Sequence, residues 1–394
     1  MRYSKLSIGI GAVLWSTTAL ANDGLVSDVQ TETYSEAEYE RFAPRTSADD
    51  TRLVWRAWDD ALAWFVLNMG PSLRQLAPRR EPSIGTRFVF GHDSRYRLEG
   101  NRVAFQFLED KQRAALTEYR EDLQRIGTEI DIAGLPRNEQ LAFWINLHNV
   151  AVIEQLALAY PVMSPDKVSV GGVPLDEAKF ITVAGVPLSP QDIRTGIVYP
   201  NWDDPRVIYG FFRGAIGGPS ISRRAYNGRD IARQLAENAS EFVNALRGVD
   251  GSGDKLKVSR IYAEARPFYF PDWERSLRAH LAAYADGEVA RLVAAGGPVE
   301  ASIYETDIAD LSKGEREPAY SQTDECPAEP GSNGGNRPSF NAPGSCPRRS
   351  DVPLAVQRFE EERREKIERL VERGMIGTVI IREVRDEEPG AEVE

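Results

Sequence analysis

The feature that most constrains the fold is one long apolar segment, "LPRNEQLAFWINLHNVAVIEQLALAYP". It is apolar nearly all round from Leu141 to Leu158 and ends at Pro161. A helix without a polar face has to be buried, because no side of it can face water at low cost. The sequence therefore predicts a central helix in the middle of a domain, with the remaining elements packed around it.

Three hydrogen-bonding side chains, Asn146, His148 and Asn149, interrupt the apolar surface of this helix. Each needs a partner, because a buried polar group left unpaired costs about 1–3 kcal/mol. The simpler interpretation is that they bond backbone turns packed around the helix. The functional interpretation places His148 at a pocket, as a base or as a contact to a ligand.

The segments around the central helix alternate between amphipathic helical patterns and short strand patterns. Helical periodicity marks "TRLVWRAWDDALAWFVLNMG", while "KFITVAGVPLS" and "KLKVSRIY" read as strands. The mixture predicts an α+β fold, a helix-rich single main domain around the buried helix and a small mixed or antiparallel sheet. The predicted divisions are a signal peptide at 1–21, an N-terminal extension at 22–46, the main domain at 47–310, a linker or loop at 311–350, and a C-terminal helix, strand and acidic tail at 351–394.

The N-terminus reads as a secretory signal. Arg2 and Lys5 precede the apolar run "LSIGIGAVLWSTTAL", and the small residues of "ALA" at 19–21 favour cleavage before Asn22. An uncleaved anchor is the alternative, although the run is short for a membrane span. We expect a periplasmic or secreted protein that is soluble after cleavage, with no membrane span in the mature chain.

The charge balance argues against one class of partner. The formal net charge is -12, and no basic run compensates for it. A protein that binds nucleic acid needs such a run to neutralise phosphates, so we expect no nucleic-acid partner.

The chain has two cysteines, Cys326 and Cys346, both in the polar segment "CPAEPGSNGGNRPSFNAPGSC". An even count in an exported chain favours a disulfide between them. A redox or metal pair fits less well, because the spacing is far from CxxC and no histidine is near in sequence.

Glycines cluster in "VIYGFFRGAIGGPS", residues 207–220, after an apolar run that reads as a strand. The spacing matches neither a P-loop nor a dinucleotide-binding loop, and Pro219 blocks immediate helix propagation from that point. Arg213, beside several flexible N–H groups, could still form an anion site.

In this order, "RNEQLAFWINLHNVAVIEQL", "ITVAGVPLSPQDIRTGIV" and "DPRVIYGFFRGAIGGPSI" resemble three blocks of the domain of unknown function 547 family. The resemblance covers about residues 92–240. Its usual Cys/His pattern implies, by analogy only, a papain-like or transglutaminase-like core.

The chain departs from that family at the positions that would carry chemistry. A Cys/His constellation would be the natural candidate for nucleophilic catalysis, because a thiolate needs a nearby base or cation. His148 stands where the tyrosine of the first block is usual. Arg194 and Thr195 stand at the places of the Glu-His pair of the second block. In the third block, Ile208 stands at the histidine place, and Arg213 and Gly218 stand at the two cysteine places.

These departures leave open whether the protein is an enzyme, and they favour a protein without catalytic activity. The first hypothesis is a catalytically degenerate binding or interaction protein, without cofactor or metal, whose ligand is a small anion, a peptide or another envelope component or protein. Its candidate binding residues are Arg213, His148, Asn146, Asn149 and Arg206.

Two other hypotheses stay open at this level. A hydrolase with a rebuilt site would use His148 as base, Arg213 as electrostatic stabiliser and Ser220 as nucleophile. An interaction protein would use the narrow apolar stripe of the helix at 352–373, unless that stripe packs on its own domain.

Overall fold

The computed structural model describes residues 36–46, 50–80, 91–314, 320–323, 346–349 and 353–376. The chain divides into two units, residues 1–34 and 35–394, and every described residue belongs to the second. The predicted signal peptide therefore lies outside the described residues.

Helices dominate the described part of the chain. The longer ones are α1 Arg56–Phe65, α2 Asp110–Glu129, α3 Arg137–Ala159, α4 Ile231–Val243, α5 Ile261–Tyr269, α6 Trp273–Ala282, α7 Gly287–Ala294 and α8 Leu354–Glu372. A π-helical stretch spans Asp192–Val198, and a 3-10 helix spans Pro205–Gly210. Short helical turns occur at Glu36–Tyr39, Glu40–Phe42, Phe105–Phe107, Ile132–Gly134, Pro165–Lys167 and Tyr199–Asn201.

The strands are short and form small sheets. They are β1 Val66–Leu67, β2 Arg102–Val103, β3 Ser169–Val170, β4 Val173–Pro174, β5 Ile181–Val183, β6 Val186–Leu188, β7 Val249–Ser252, β8 Lys255–Ser259, β9 Val299–Ile303, β10 Tyr320–Thr323 and β11 Cys346–Arg349. The sheet β7-β8-β9 is mixed, since β7 pairs antiparallel and β9 parallel with β8. The other sheets are antiparallel pairs. The predicted α+β fold with a small mixed sheet is confirmed.

The central apolar segment forms α3, and nearly all of its side chains are buried. By length and composition alone α3 could cross a membrane, but 89% of its most apolar window is buried inside the protein. Its neighbours approach closely through glycines. A Cβ at Gly127 of α2 would lie 2.8 Å from the Phe143 ring, and one at Gly210 would lie 2.8 Å from Ile145. The central helix is thus in contact with α2 and with the 3-10 helix.

The β-branched and aromatic pattern of the apolar run before the glycine loop predicted a strand, and this prediction is wrong. The run forms the 3-10 helix Pro205–Gly210. Asp204 caps this helix by accepting from the Arg206 N–H at 3.0 Å, and Pro205 occupies the first position. An Asx cap followed by proline favours a helical start, and this local signal outweighed the strand propensity of the run.

The C-terminal helix α8 packs on the rest of the protein. Val356 and Phe359 join a small core with Met69 and Leu311. Glu362 accepts two hydrogen bonds from Arg97, at 2.8 and 2.9 Å. The apolar stripe at 352–373 is therefore used inside the protein, so the hypothesis of a free docking stripe there is corrected.

Candidate functional site

A cavity of about 500 Å³ lies next to the first turn of α5. The rest of its wall comes from Val152 of α3, the turn at 165–166, the segment 174–177 at β4, the glycine loop, residues 259–260 at the end of β8 and the segment 304–306 after β9. Its charged lining residues are Asp166, Asp176, Glu177, Arg213, Arg260, Glu264 and Glu305. A concave site of this size, with convergent polar groups, is the default place to look for a ligand.

Arg213, which directly precedes Gly214 of the glycine loop, is held by Glu264 of α5. Its guanidinium donates to the two carboxylate oxygens at 2.9 and 2.6 Å, a bidentate pair. The same carboxylate accepts from Arg194 at 3.0 and 3.2 Å. Arg194 also forms a bidentate pair with Asp176, at 2.7 and 2.6 Å. Two arginines and two carboxylates thus form one continuous network along the cavity.

Burial and charge act in opposite directions on the acids of this network. Burial raises the pKa of the Glu264 carboxyl, but the charges of Arg213 and Arg194 outweigh it and lower the pKa to about 2. Burial likewise raises the pKa of Asp176, and Arg194 brings it well below its usual range. Both carboxylates are therefore ionised at neutral pH, and both are engaged by arginine.

His148 stands behind this network and is fully buried. Its Nε2 lies 3.0 Å from the Nη1 of Arg194, and its Nδ1 lies 3.1 Å from the Oδ1 of Asn149. An arginine can only donate, so Nε2 accepts and the proton sits on Nδ1. Burial and the charge of Arg194 lower the pKa of His148 to about 3. The ring is neutral and orients Arg194.

The two asparagines of α3 bond backbone groups, as the simpler interpretation predicted. Asn149 donates to the Gly210 carbonyl and accepts from the Phe212 N–H, both at 2.9 Å. Asn146 makes the same pair of bonds with the backbone of Tyr226, at 2.8 and 3.0 Å. These side chains hold the segments that precede and follow the glycine loop against the central helix.

The glycine loop is paired along its length with the segment 305–309. The N–H groups of Ile216 and Gly217 donate to the carbonyls of Asp307 and Glu305, at 2.9 and 3.1 Å. A Cβ at Gly217 would lie 2.6 Å from that Glu305 carbonyl oxygen, so close backbone approach requires glycine there. Gly217 serves packing, and the N–H groups of Ile216 and Gly217 are not free to cradle an anion.

Ser220 and Arg206 belong to other parts of the structure. The Ser220 hydroxyl bonds Arg247 at 2.9 Å and Glu241 at 3.2 Å. Arg206 forms an ion pair with Asp204 at 2.6 Å. Of the residues that the sequence singled out, the structure joins His148 and Arg213 through Arg194 and Glu264, and it gives Ser220 and Arg206 different partners.

Sequence reasoning missed the two acids on which this arrangement depends. Glu264 lies 51 residues from Arg213 and 70 from Arg194 in the chain, and Asp176 lies 18 from Arg194. No motif links them. The π-helical stretch that carries Arg194, a kind of stretch that is frequent at functional sites, is visible only in the structure and contains neither acid.

Among the described residues, no group of three or more His, Cys, Asp or Glu side chains is placed to hold a metal ion. No curated protein and no solved structure matches the chain. Residues 132–243 match the family model described as "Protein of unknown function, DUF547". That span contains α3, the π-helical stretch, the 3-10 helix and the glycine loop. Over this span, the chain shows the predicted similarity to the uncharacterised family DUF547.

Proposed function

We propose that the protein is an exported binding protein that takes up a small polar ligand in the cavity beside α5 and does not catalyse a reaction. The observation that carries the proposal is the network from His148 through Arg194 and Glu264 to Arg213. Three of these four positions, 148, 194 and 213, are places where we expect the chain to depart from the DUF547 pattern. Their side chains pair with one another or with Glu264, which leaves no free reactive group among them.

The hydrolase alternative receives no support from this geometry. A general base works best with a pKa near the operating pH, and burial lowers that of His148 to about 3. Both ring nitrogens are already in hydrogen bonds, and the proposed nucleophile Ser220 bonds Glu241 and Arg247.

The binding half is tested by blocking the cavity. Ala215 lines it and is partly exposed, so Ala215→Trp should fill the space without disturbing the ion pairs. A ligand at about 100 times its Kd stabilises a protein by about 2.7 kcal/mol. In a thermal-shift screen of small polar compounds, we expect hits on the wild type that disappear in Ala215→Trp.

The non-catalytic half is tested with ester and amide substrates. We expect no turnover above the rate of buffer alone. Turnover by the wild type that is lost in a folded His148→Gln variant would contradict the proposal.

Export is tested separately from binding. The motif at the N-terminus supports cleavage before Asn22. Mass spectrometry of the protein recovered from the periplasm or medium should give a chain that begins at Asn22. Recovery of the full-length chain in the membrane fraction would support the uncleaved anchor.

A further inference from the structure

His92, which the proposed function does not use, is fully buried between two acids of the segment 305–314. Its Nε2 lies 3.0 Å from the backbone carbonyl oxygen of Asp310 and 3.0 Å from Oδ1 of the same residue. Its Nδ1 lies 3.8 Å from Oδ2 of Asp307. Each ring nitrogen therefore faces a carboxylate oxygen, and an ionised carboxylate can only accept a hydrogen bond.

A ring with a single proton cannot satisfy both sides, because a neutral imidazole donates from one nitrogen only. The Lys313 N–H lies 3.2 Å from Nε2, but it donates to Asp310 Oδ1 at 2.6 Å, so Nε2 is left facing acceptors and needs the proton. In the part of the chain that the structure describes, neither His92 Nδ1 nor Asp307 Oδ2 then has a hydrogen-bond partner. Two buried acceptors that face each other cost free energy, whereas a second proton on the ring turns them into a charge-assisted hydrogen bond.

Two cations also lie near this site. The Lys313 ammonium is 3.4 Å from Asp307 Oδ2, and it pairs with Asp93 as well. Arg102 of β2 adds a positive charge that opposes protonation of His92. Since the lysine is shared between two acids, it does not take the place of a proton on the ring.

The remaining neighbours are neutral or negative. Tyr160, directly after α3, donates to Asp310 Oδ2 at 3.1 Å, and α8 contributes the ring of Phe359, centred 6.0 Å from the imidazole. Burial lowers the pKa of His92, and so does the guanidinium of β2. The contacts with Asp307 and Asp310 outweigh both and raise the pKa above 6.5. Geometry and charge therefore favour the same doubly protonated ring.

The segment that His92 contacts forms part of the cavity wall. The carbonyls of Glu305 and Asp307 accept from two N–H groups of the glycine loop, at 3.1 and 2.9 Å, and Glu305 lines the cavity. Beside His92, Gly91 approaches α8 closely, since an added Cβ would lie 3.0 Å from that of Ala355. His92 thus connects the segment 305–314 to a loop that packs on the C-terminal helix.

We propose that His92 is a pH-sensitive latch of this fold. With two protons, its ring bonds Asp307 and Asp310 at once and holds the segment 305–314 in place. With one proton, the contact to Asp307 opens and the segment loosens. Histidine suits this role because it changes charge close to neutral pH. The inference concerns the fold, and it stands or falls independently of the ligand.

The first test follows the three histidine rings of the wild type by NMR as the pH is raised from about 5 to about 9. We expect one ring, His92, to titrate above pH 6.5. The pKa values of His148 and His280 are lowered to about 3 and about 4, so their rings should titrate below it. His92→Gln assigns the signal. Titration of all three wild-type rings below pH 6.5 overturns the latch.

Urea unfolding tests the partner of the second proton. Between pH 6.5 and the raised pKa the folded state binds more protons than the unfolded state, so stability is lost as the pH rises. The unfolding constant of the wild type should rise by up to about tenfold per pH unit in this window relative to that of Asp307→Asn. His280→Gln is the matched control and should follow the wild type, because His280 is neutral there in both states. Parallel curves for the wild type and Asp307→Asn would exclude Asp307 as the partner.

Hydrogen exchange locates the effect in the chain. After correction for intrinsic exchange rates, the amides of 305–314 in the wild type should be more protected at about pH 6 than at about pH 8. In Asp307→Asn the difference should be smaller. Wild-type protection that is equal at the two pH values would show that His92 does not control this segment.

Discussion

At the scale of single residues, His148 shows how a candidate catalytic side chain can be structural. Its ring accepts from Arg194 and donates to Asn149, so it connects the central helix to the ion pairs of the cavity. Acceptance from Arg194 requires a neutral ring, because both nitrogens of a protonated ring are donors. The environment keeps the ring neutral, because burial and the nearby Arg194 guanidinium lower the pKa of His148 to about 3.

The lowered pKa of His148 makes the free energy of unfolding fall as the pH falls. The unfolded ring titrates near 6.5 and the folded ring near 3, so the unfolded state binds more protons between these values. The contribution of neutral His148 to the free energy of unfolding is fully present above pH 6.5. It falls by about 1.4 kcal/mol per pH unit as the pH drops towards 3. Urea unfolding across this range should show a steeper loss for the wild type than for His148→Gln. Parallel curves would contradict a neutral buried ring.

Gly214 offers a second prediction at this scale. Its φ is +81°, and an added Cβ would lie 2.4 Å from Leu156 and 2.9 Å from Pro165. Gly214→Ala should therefore cost about 2–4 kcal/mol, from backbone strain and overpacking together. In Gly218→Ala the added atom meets nothing closer than 3.5 Å, so this matched variant should unfold close to the wild type. Equal losses in the two variants would mean that the loop is not held as described.

At the scale of elements, α8 shows that a narrow apolar stripe can pack inside its own chain. Phe359 is buried, whereas Val371 on the same helix is 38% exposed. Phe359→Ala should cost about 3–5 kcal/mol and Val371→Ala less than about 1 kcal/mol. Chemical unfolding measures both. A small effect of both variants would favour a helix that does not contribute to the core.

Lys366, on the same helix, is buried and donates to the Leu98 carbonyl at 2.7 Å. Burial lowers its pKa to about 8, although Glu99 and Glu241 act in the opposite direction. The unfolded side chain titrates near 10.5, so the unfolded state binds more protons between pH 8 and 10.5.

The wild type should therefore gain stability relative to Lys366→Met as the pH rises through this window. Unfolding of the two chains at pH 7, 8, 9 and 10 measures the difference. A difference that stays constant with pH would contradict the lowered pKa of the buried lysine.

At the scale of the whole molecule, the predicted disulfide concerns the segment between the main domain and α8. Strand β10 pairs with β11, and Thr323 lies opposite Cys346. Cys326 follows Thr323 by three residues in sequence but lies outside the described residues. The disulfide therefore stays a prediction, and the strand pairing brings the start and the end of the intervening segment together.

Peptide mapping of the purified protein without reduction should show Cys326 linked to Cys346. The simple chain-entropy estimate gives a loss of about 3 kcal/mol when a bridge over a loop of this size is removed. Cys326→Ser should lower the melting temperature of the oxidised protein accordingly, with the reduced wild type as control. Free thiols at both positions in protein purified under oxidising conditions would contradict the bridge.

The sequence by itself determined the central helix and the exclusion of a P-loop. Both depend on local information: the unbroken apolar periodicity of α3 and the spacing of the glycines at 207–220. It also predicted the similarity to DUF547 that the family match over 132–243 bears out. Local patterns report side-chain periodicity and backbone preferences, and these suffice for such features.

Only the tertiary structure decided what the polar residues do. The partner of Arg213 is a carboxylate 51 residues away, and that of Lys366 is a carbonyl 268 residues away. Such pairs form when the fold brings distant segments together, and the strength of each depends on burial, which no local pattern encodes. For the same reason the glycine loop is a packed wall of a cavity and its Arg213 is bound to Glu264, although its sequence suggested a site for anions.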